Sequence, residues 1–175
     1  MKWGGGLISD KSSLCTPFNN RISALADCVK NLVDLGHDVI IVHGAGSFGH
    51  LRAREFRLAE GNIPDFDQDA AIAQVRDDMD TLHDLVPTSL VPLSIHSHPP
   101  RDFVLNTGAT FVGDLDRFLL PGTHITLGDV GDCEPPQEFG ILSGDDLMLR
   151  LGIELPDVKQ VIFEMGEKPG LMQNP

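Results

Sequence analysis

Apolar residues recur along this 175-residue chain in two ways, at helical spacing and in unbroken runs. Ile22, Leu25, Val29, Leu32 and Val33 fall three and four apart, which predicts an amphipathic helix from Asn20 to Leu35 with Gly36 as its stop. "HDVIIV" then runs without polar alternation, as a parallel strand buried on both faces does. Ile72, Val75, Met79 and Leu82 mark a second helix, expected to end near Pro87. "VPLSI" and "THITL" read as further strands, "GDVGDCEPPQEFG" as a turn-rich hairpin, Asp145 to Leu151 as the opening of a helix, and "VKQVIF" as the last strand. Strands alternating with helices define an α/β fold with a mainly parallel sheet. "DVIIV", "THITL" and "VKQVIF" should be its inner strands, because such runs leave no wet face.

One stretch does not follow from packing. "HGAGSFGH", His43 to His50, places three glycines directly after the apolar run. Glycines there let backbone N–H groups converge without interference from Cβ atoms, and a helix beginning beyond them adds its own free amides and the positive end of its dipole. A phosphate is the natural guest. A plain strand-to-helix connection has the same composition, so the stretch alone leaves both readings open. The glycines at 44, 46 and 49 match G-x-G-x-x-G, but Gln68, Asp69 and Ala70 stand where a dinucleotide fold would place an acid-ended second strand.

Composition narrows the function. A chain of this length suits a single domain over 1–175, burying roughly 70% of its unfolded surface. No run approaches the roughly 18 apolar residues of a membrane span, and "MKWGGG" does not open a signal peptide, so a cytoplasmic protein is expected. A net charge of −13 argues against nucleic acid or an anionic membrane as partner, and any anion site must be local. The acids of "DFDQDAAIAQVRDDMD" and "GDVGDCEPPQE" read as solvated faces and turns. Cys15, Cys28 and Cys133 show no C-x-x-C pairing and read as reduced thiols. His43, His96 and His98 lack carboxylate or thiolate company at metal-ligand spacing, so no metal ligands are assigned.

"KWGGGLISDK", "HGAGSFGH" and "FGILSGDDL", in this order, make the chain resemble the isopentenyl phosphate kinases of the amino-acid kinase superfamily. The resemblance implies a three-layer sandwich, helices on both faces of a mainly parallel sheet, C-terminally incomplete: the family continues past an equivalent of Pro175 with the nucleotide-base pocket and a further lysine. It implies transfer of the ATP γ-phosphate, with Mg²⁺, to isopentenyl phosphate. A fosfomycin-type acceptor, or a non-catalytic phosphate-binding fragment, is the alternative. A small-molecule substrate is the implied partner, and a homodimer is compatible.

Position by position, Lys2, Gly4 and Gly5 match the family's K-x-G-G loop on the transferring phosphate, and Gly6 stands where serine is usual. Lys11 matches a second phosphate-facing lysine, so Lys2, Gly4, Gly5, Gly6 and Lys11 would hold nucleotide phosphates. Gly44, Ala45, Gly46 and Gly49 match the acceptor-phosphate cradle, with His50 donating to that phosphate. Gly144 matches a helix-start amide and Asp145 the acid that orients the lysines. "LRAREFRLAEG" and the helix from Gln68 would wall the apolar tail. "FEMGEKPGLM" departs from the aspartate-rich loop usual there. On bare residue chemistry, Lys2 and Lys11 also suit an exposed surface, and Asp145 the first turn of any helix.

Overall fold

A computed structural model describes residues 1–166. Strands β1 (Lys2–Trp3), β2 (Val39–His43), β3 (Ile95–Ser97), β4 (Val104–Leu105), β5 (Val112–Gly113), β6 (Thr123–Leu127), β7 (Asp129–Asp132), β8 (Phe139–Leu142) and β9 (Phe163–Glu164) alternate with helices α1 (Gly5–Ile8), α2 (Asn19–Asp34), α3 (His50–Glu55), α4 (Asp69–Ser89) and α5 (Gly144–Glu154). The main sheet runs β3-β6-β2-β1-β9, and every pairing in it is parallel. β7 and β8 form an antiparallel hairpin beside it, as the turn-rich segment predicts, and β4 and β5 a second, smaller one.

The unbroken apolar run of β2 is explained by the two helix layers. Side chains alternate across a strand. Val39 and Ile41 join the core built with Ile22, Leu25 and Val29 of α2 and Val75, Met79 and Leu82 of α4, whereas Ile40 and Val42 pack with Leu147, Met148 and Leu151 of α5. Helices therefore cover both faces, and the three-layer sandwich is confirmed.

Several expectations need correction. α4 continues past Pro87 to Ser89, because a proline in the last turn removes only one hydrogen bond, and the Leu90 amide closes the turn on the Pro87 carbonyl at 3.0 Å. "VPLSI" yields a strand only from Ile95, since residues 90–93 form a turn in which the Leu93 amide reaches the Leu90 carbonyl. "VKQVIF" is an edge and not an inner strand. It pairs only at Phe163 and Glu164, because its partner β1 offers just Lys2 and Trp3. Nor is the acidic face of α4 merely solvated. Asp78 meets Arg52 at 3.0 Å, Arg76 meets Asp132 at 2.6 Å, and Asp80 pairs with Arg101. The three cysteines are unpaired. Among the described residues no helix is long and apolar enough to cross a membrane.

The loops after β1 and β2 touch backbone to backbone. A Cβ on Gly46, whose φ is +51°, would lie 1.9 Å from Ser9 Oγ and 2.5 Å from the Gly5 carbonyl oxygen. Ser9 Oγ itself accepts from the Ser47 amide at 2.9 Å and donates to the Gly5 carbonyl at 2.8 Å, stitching the loops together. Gly46→Ala should therefore cost about 2–4 kcal/mol, from left-handed strain plus overpacking against backbone that cannot yield. Urea unfolding measures it, and a loss below about 0.5 kcal/mol, the range of an uneventful surface substitution, would show that the loops part freely.

Candidate active site

Parallel sheets expose their binding crevices at the carboxyl ends of the strands. Here β1, β2 and β6 are each followed directly by a glycine, Gly4, Gly44 and Gly128, and the cleft opens there. Lys2, Gly5, Gly44, Ala45, Gly49, His50, Gly144 and Asp145 all line it, so most of the residues singled out from sequence are brought together.

Their contributions differ. The Gly4 amide is committed to the Glu164 carbonyl at 3.2 Å and the Gly44 amide to the Trp3 carbonyl at 2.9 Å, so these two glycines supply space and not donors. A Cβ on Gly44 would stand 2.8 Å from the Gly5 nitrogen. Gly5 and Gly6 open α1, where first-turn amides have no intrahelical acceptor. At Gly144 a Cβ would lie 3.3 Å from Lys2 Cε, so the missing side chain gives that lysine passage. Ser143 caps α5, its hydroxyl accepting from the Asp145 amide at 3.1 Å. Lys2 Nζ donates to Asp145 Oδ1, an ion pair across the mouth of the cleft.

Lys11 is exposed and does not line the cleft. Its aliphatic end lies over Gly6, where a Cβ would stand 2.5 Å from Lys11 Cε; the glycine in place of serine thus lets the lysine fold inward. Its charge is felt at His50. Desolvation first, then Lys11 and Lys2, push the His50 imidazole below its ordinary value. His50 opens α3 at the rim as a neutral ring with one N–H to donate, and an arriving dianion would reverse that bias.

The far end of the cleft is apolar: Ala53 of α3, Val75 and Met79 of α4, Val130 of β7 and Ile141 of β8. Of the segment 51–61 only Ala53 lines this end, beside Val75 and Met79 of α4, and the hairpin contributes as many residues as α4, which sequence reasoning missed. A Cβ on Gly49 would lie 2.7 Å from Ala45 Cβ, so that glycine lets the cradle fold tightly on itself, with Met79 Sδ in ordinary contact beside it.

Also missed was Asp129, whose side chain lies fully buried in the cleft wall with Arg101 Nε 3.0 Å away. Its Oδ1 accepts from the Val130 amide at 2.8 Å. Burial pushes its carboxyl up to about 6 against the pull of Arg101 and the Val130 amide. A "GD" step directly after a buried strand run was the available signal.

The amino acid kinase family model matches residues 1–156, and the chain belongs to that family. It is similar to the isopentenyl phosphate kinase of Thermoplasma acidophilum, with 31% identity over 161 residues, 90% of this chain and 63% of that one. A crystal structure of the T. acidophilum isopentenyl phosphate kinase product complex superposes with a TM-score of 0.72 at 28% identity, covering 86% of this chain and 63% of that one. Another isopentenyl phosphate kinase structure gives 0.79 at 23% identity over 88% and 66% and supports the fold. The chain thus spans a little under two thirds of the length of the curated relatives it matches.

Acid should act oppositely on two buried groups. His43, fully buried behind the cradle, is pushed down to about 3, mainly by burial and then by His83. The unfolded chain binds the extra proton between about 3 and 6.5, so this contribution is lost as pH falls, about 2 kcal/mol between pH 6.5 and 5. Asp129 titrates near 6 folded and 3.8 unfolded, so its contribution instead grows as pH falls through 6. In urea unfolding from pH 7 to 5, His43→Gln should flatten the acid loss and Asp129→Asn should steepen it. Three identical slopes would refute both assignments.

Proposed function

We propose that this chain forms the acceptor side of a phosphotransferase that moves the ATP γ-phosphate to isopentenyl phosphate. The observation that carries the reading is one cleft with two ends: Lys2, His50, the glycine loop and the start of α5 at one, and Ala53, Val75, Met79, Val130 and Ile141 at the other. A phosphate monoester with a short hydrocarbon tail matches both ends. A hydrophilic phosphonate such as fosfomycin would leave the apolar end without a partner.

The chemistry asks little of a general base. The attacking atom is a phosphate oxygen whose second pKa is near ~6, so it arrives largely deprotonated at neutral pH. That oxygen bonds to the γ-phosphorus, the β–γ bridging bond breaks, and ADP leaves with the electron pair. The protein must hold two repelling phosphates in line and neutralise them. Lys2 stands between the two loops for this, with Asp145 fixing its ammonium, while Lys11 approaches from the α1 side and His50 donates to the acceptor. Gly4, Gly5 and Gly6 leave room for the transferring group, and Gly44, Ala45, Gly49 and Gly144 form the floor, with Gly46 packed behind them on Gly5 and Ser9. Mg²⁺ suits such a site because it binds through one or two carboxylates plus substrate phosphates, and Asp145 is exposed at the right end. The base pocket falls to sequence outside the described residues, where part of "FEMGEKPGLM" also lies.

Calorimetric titration should show measurable affinity for isopentenyl phosphate and weak affinity for ATP, with slow ADP release in a coupled assay. His50→Ala should raise the Kd for isopentenyl phosphate about 10- to 100-fold, as expected for one hydrogen bond to a charged group, with the unfolding midpoint nearly unchanged because the side chain is exposed. A wild-type chain with no affinity for isopentenyl phosphate would overturn the reading.

A further inference from the structure

Behind the cradle lies a polar chain that the phosphotransfer reading does not use. His43 ends β2 with 0% exposure, and its Nε2 sits 2.9 Å from Nδ1 of His83 on α4. His83 Nε2 is 2.7 Å from Ser97 Oγ on β3. His43 Nδ1 faces the Gly44 carbonyl oxygen at 3.5 Å, the longest link. The two rings stack with centroids 5.2 Å apart.

The carbonyl dictates every proton in this chain. A carbonyl oxygen only accepts, so His43 carries its proton on Nδ1 and offers a lone pair at Nε2. His83 must then donate from Nδ1 and accept at Nε2, which orients the Ser97 hydroxyl as donor. Burial holds both imidazoles below their ordinary values, and both remain neutral at pH 7.

What this holds is one peptide. The His43–Gly44 peptide is anchored at both ends, its N–H on the Trp3 carbonyl and its carbonyl on the Gly128 amide at 3.0 Å. The next peptide, Gly44–Ala45, lies past the end of the ladder, and the group that meets its carbonyl is the His43 ring. Glycine lets such a plane rotate with little resistance. In a trans peptide the C=O and N–H point opposite ways, so a carbonyl turned to His43 turns the Ala45 N–H away from it. Ala45 lines the cleft.

We infer that Ser97, His83 and His43 form a positioning relay that locks the Gly44–Ala45 peptide with its N–H available to the acceptor phosphate. The inference rests on the phosphate-acceptor reading for its use, but the lock itself is a property of the ligand-free protein. The three residues act through the peptide and do not themselves touch the substrate.

Nitrogen-15 NMR of ligand-free protein reads the lock directly. We expect both His43 and His83 as neutral Nδ1–H tautomers at pH 7, with a single sharp Ala45 amide resonance. His83→Phe should broaden or double that resonance. His83→Gln, whose amide can donate to His43 and accept from Ser97, should restore it. Calorimetry with isopentenyl phosphate should then show Kd raised about tenfold in His83→Phe and within about twofold of wild type in His83→Gln, a difference of one ordinary hydrogen bond. An Nε2–H tautomer at His43, or an Ala45 resonance indifferent to His83→Phe, overturns the lock. Equal affinity in all three proteins overturns its role in binding. If the tautomers and the Ala45 response are as expected but wild-type protein does not bind isopentenyl phosphate, the phosphate-acceptor reading has failed and the lock stands.

Discussion

The approach of two backbone loops with no side chain between them is the constraint on which the rest of the site depends. Gly5, Gly44 and Gly46 meet at distances where any Cβ would strike main-chain atoms, and Ser9 fastens the contact from beneath. That closeness brings the end of β1 beside the end of β2, so that Lys2, projecting from the shorter strand, reaches the start of α5 through the gap left at Gly144. Widening the contact by one methyl group would separate a cation from the cradle it serves.

α4 carries a second constraint. The same helix presents Val75 and Met79 to the cleft, Asp78 to Arg52 of α3, Arg76 to Asp132 of the hairpin, and His83 to the end of β2. Half-buried ion pairs of this kind fix orientation more than they add stability. Their common effect is to seat one helix against α3, the glycine loop and the hairpin, the elements that meet at the apolar end of the cleft.

Fold class and most residues of the candidate site were legible because both depend on local rules. Period gave α2 and α4, unbroken runs gave β2 and β6, and the glycine loops announced themselves by composition. Element ends were less legible where the partner decides them: β9 is cut short by the two residues of β1, and β3 starts only after a turn that its apolar residues concealed. Asp129 and His83 escaped for a different reason. Each sits in an ordinary-looking strand end or helix face, and only the approach of Arg101 or His43 from elsewhere in the chain gives it significance. The glycines also held a distinction that sequence does not carry, between those whose amides remain free and those, Gly4 and Gly44, whose amides are already spent.

β1 has a consequence for how the molecule comes into being. Its two residues lie inside the sheet, paired on one side with Val42 and His43 and on the other with Phe163 and Glu164. Such contacts join the most distant parts of the described chain, and closing long loops is the slow part of folding a parallel sheet. During synthesis Lys2 and Trp3 emerge long before residues 163 and 164, and cannot complete their pairing until those residues have left the ribosome. Until then Trp3, wholly buried in the finished protein, has no complete site to enter, and the cleft at the end of β1 takes its shape late.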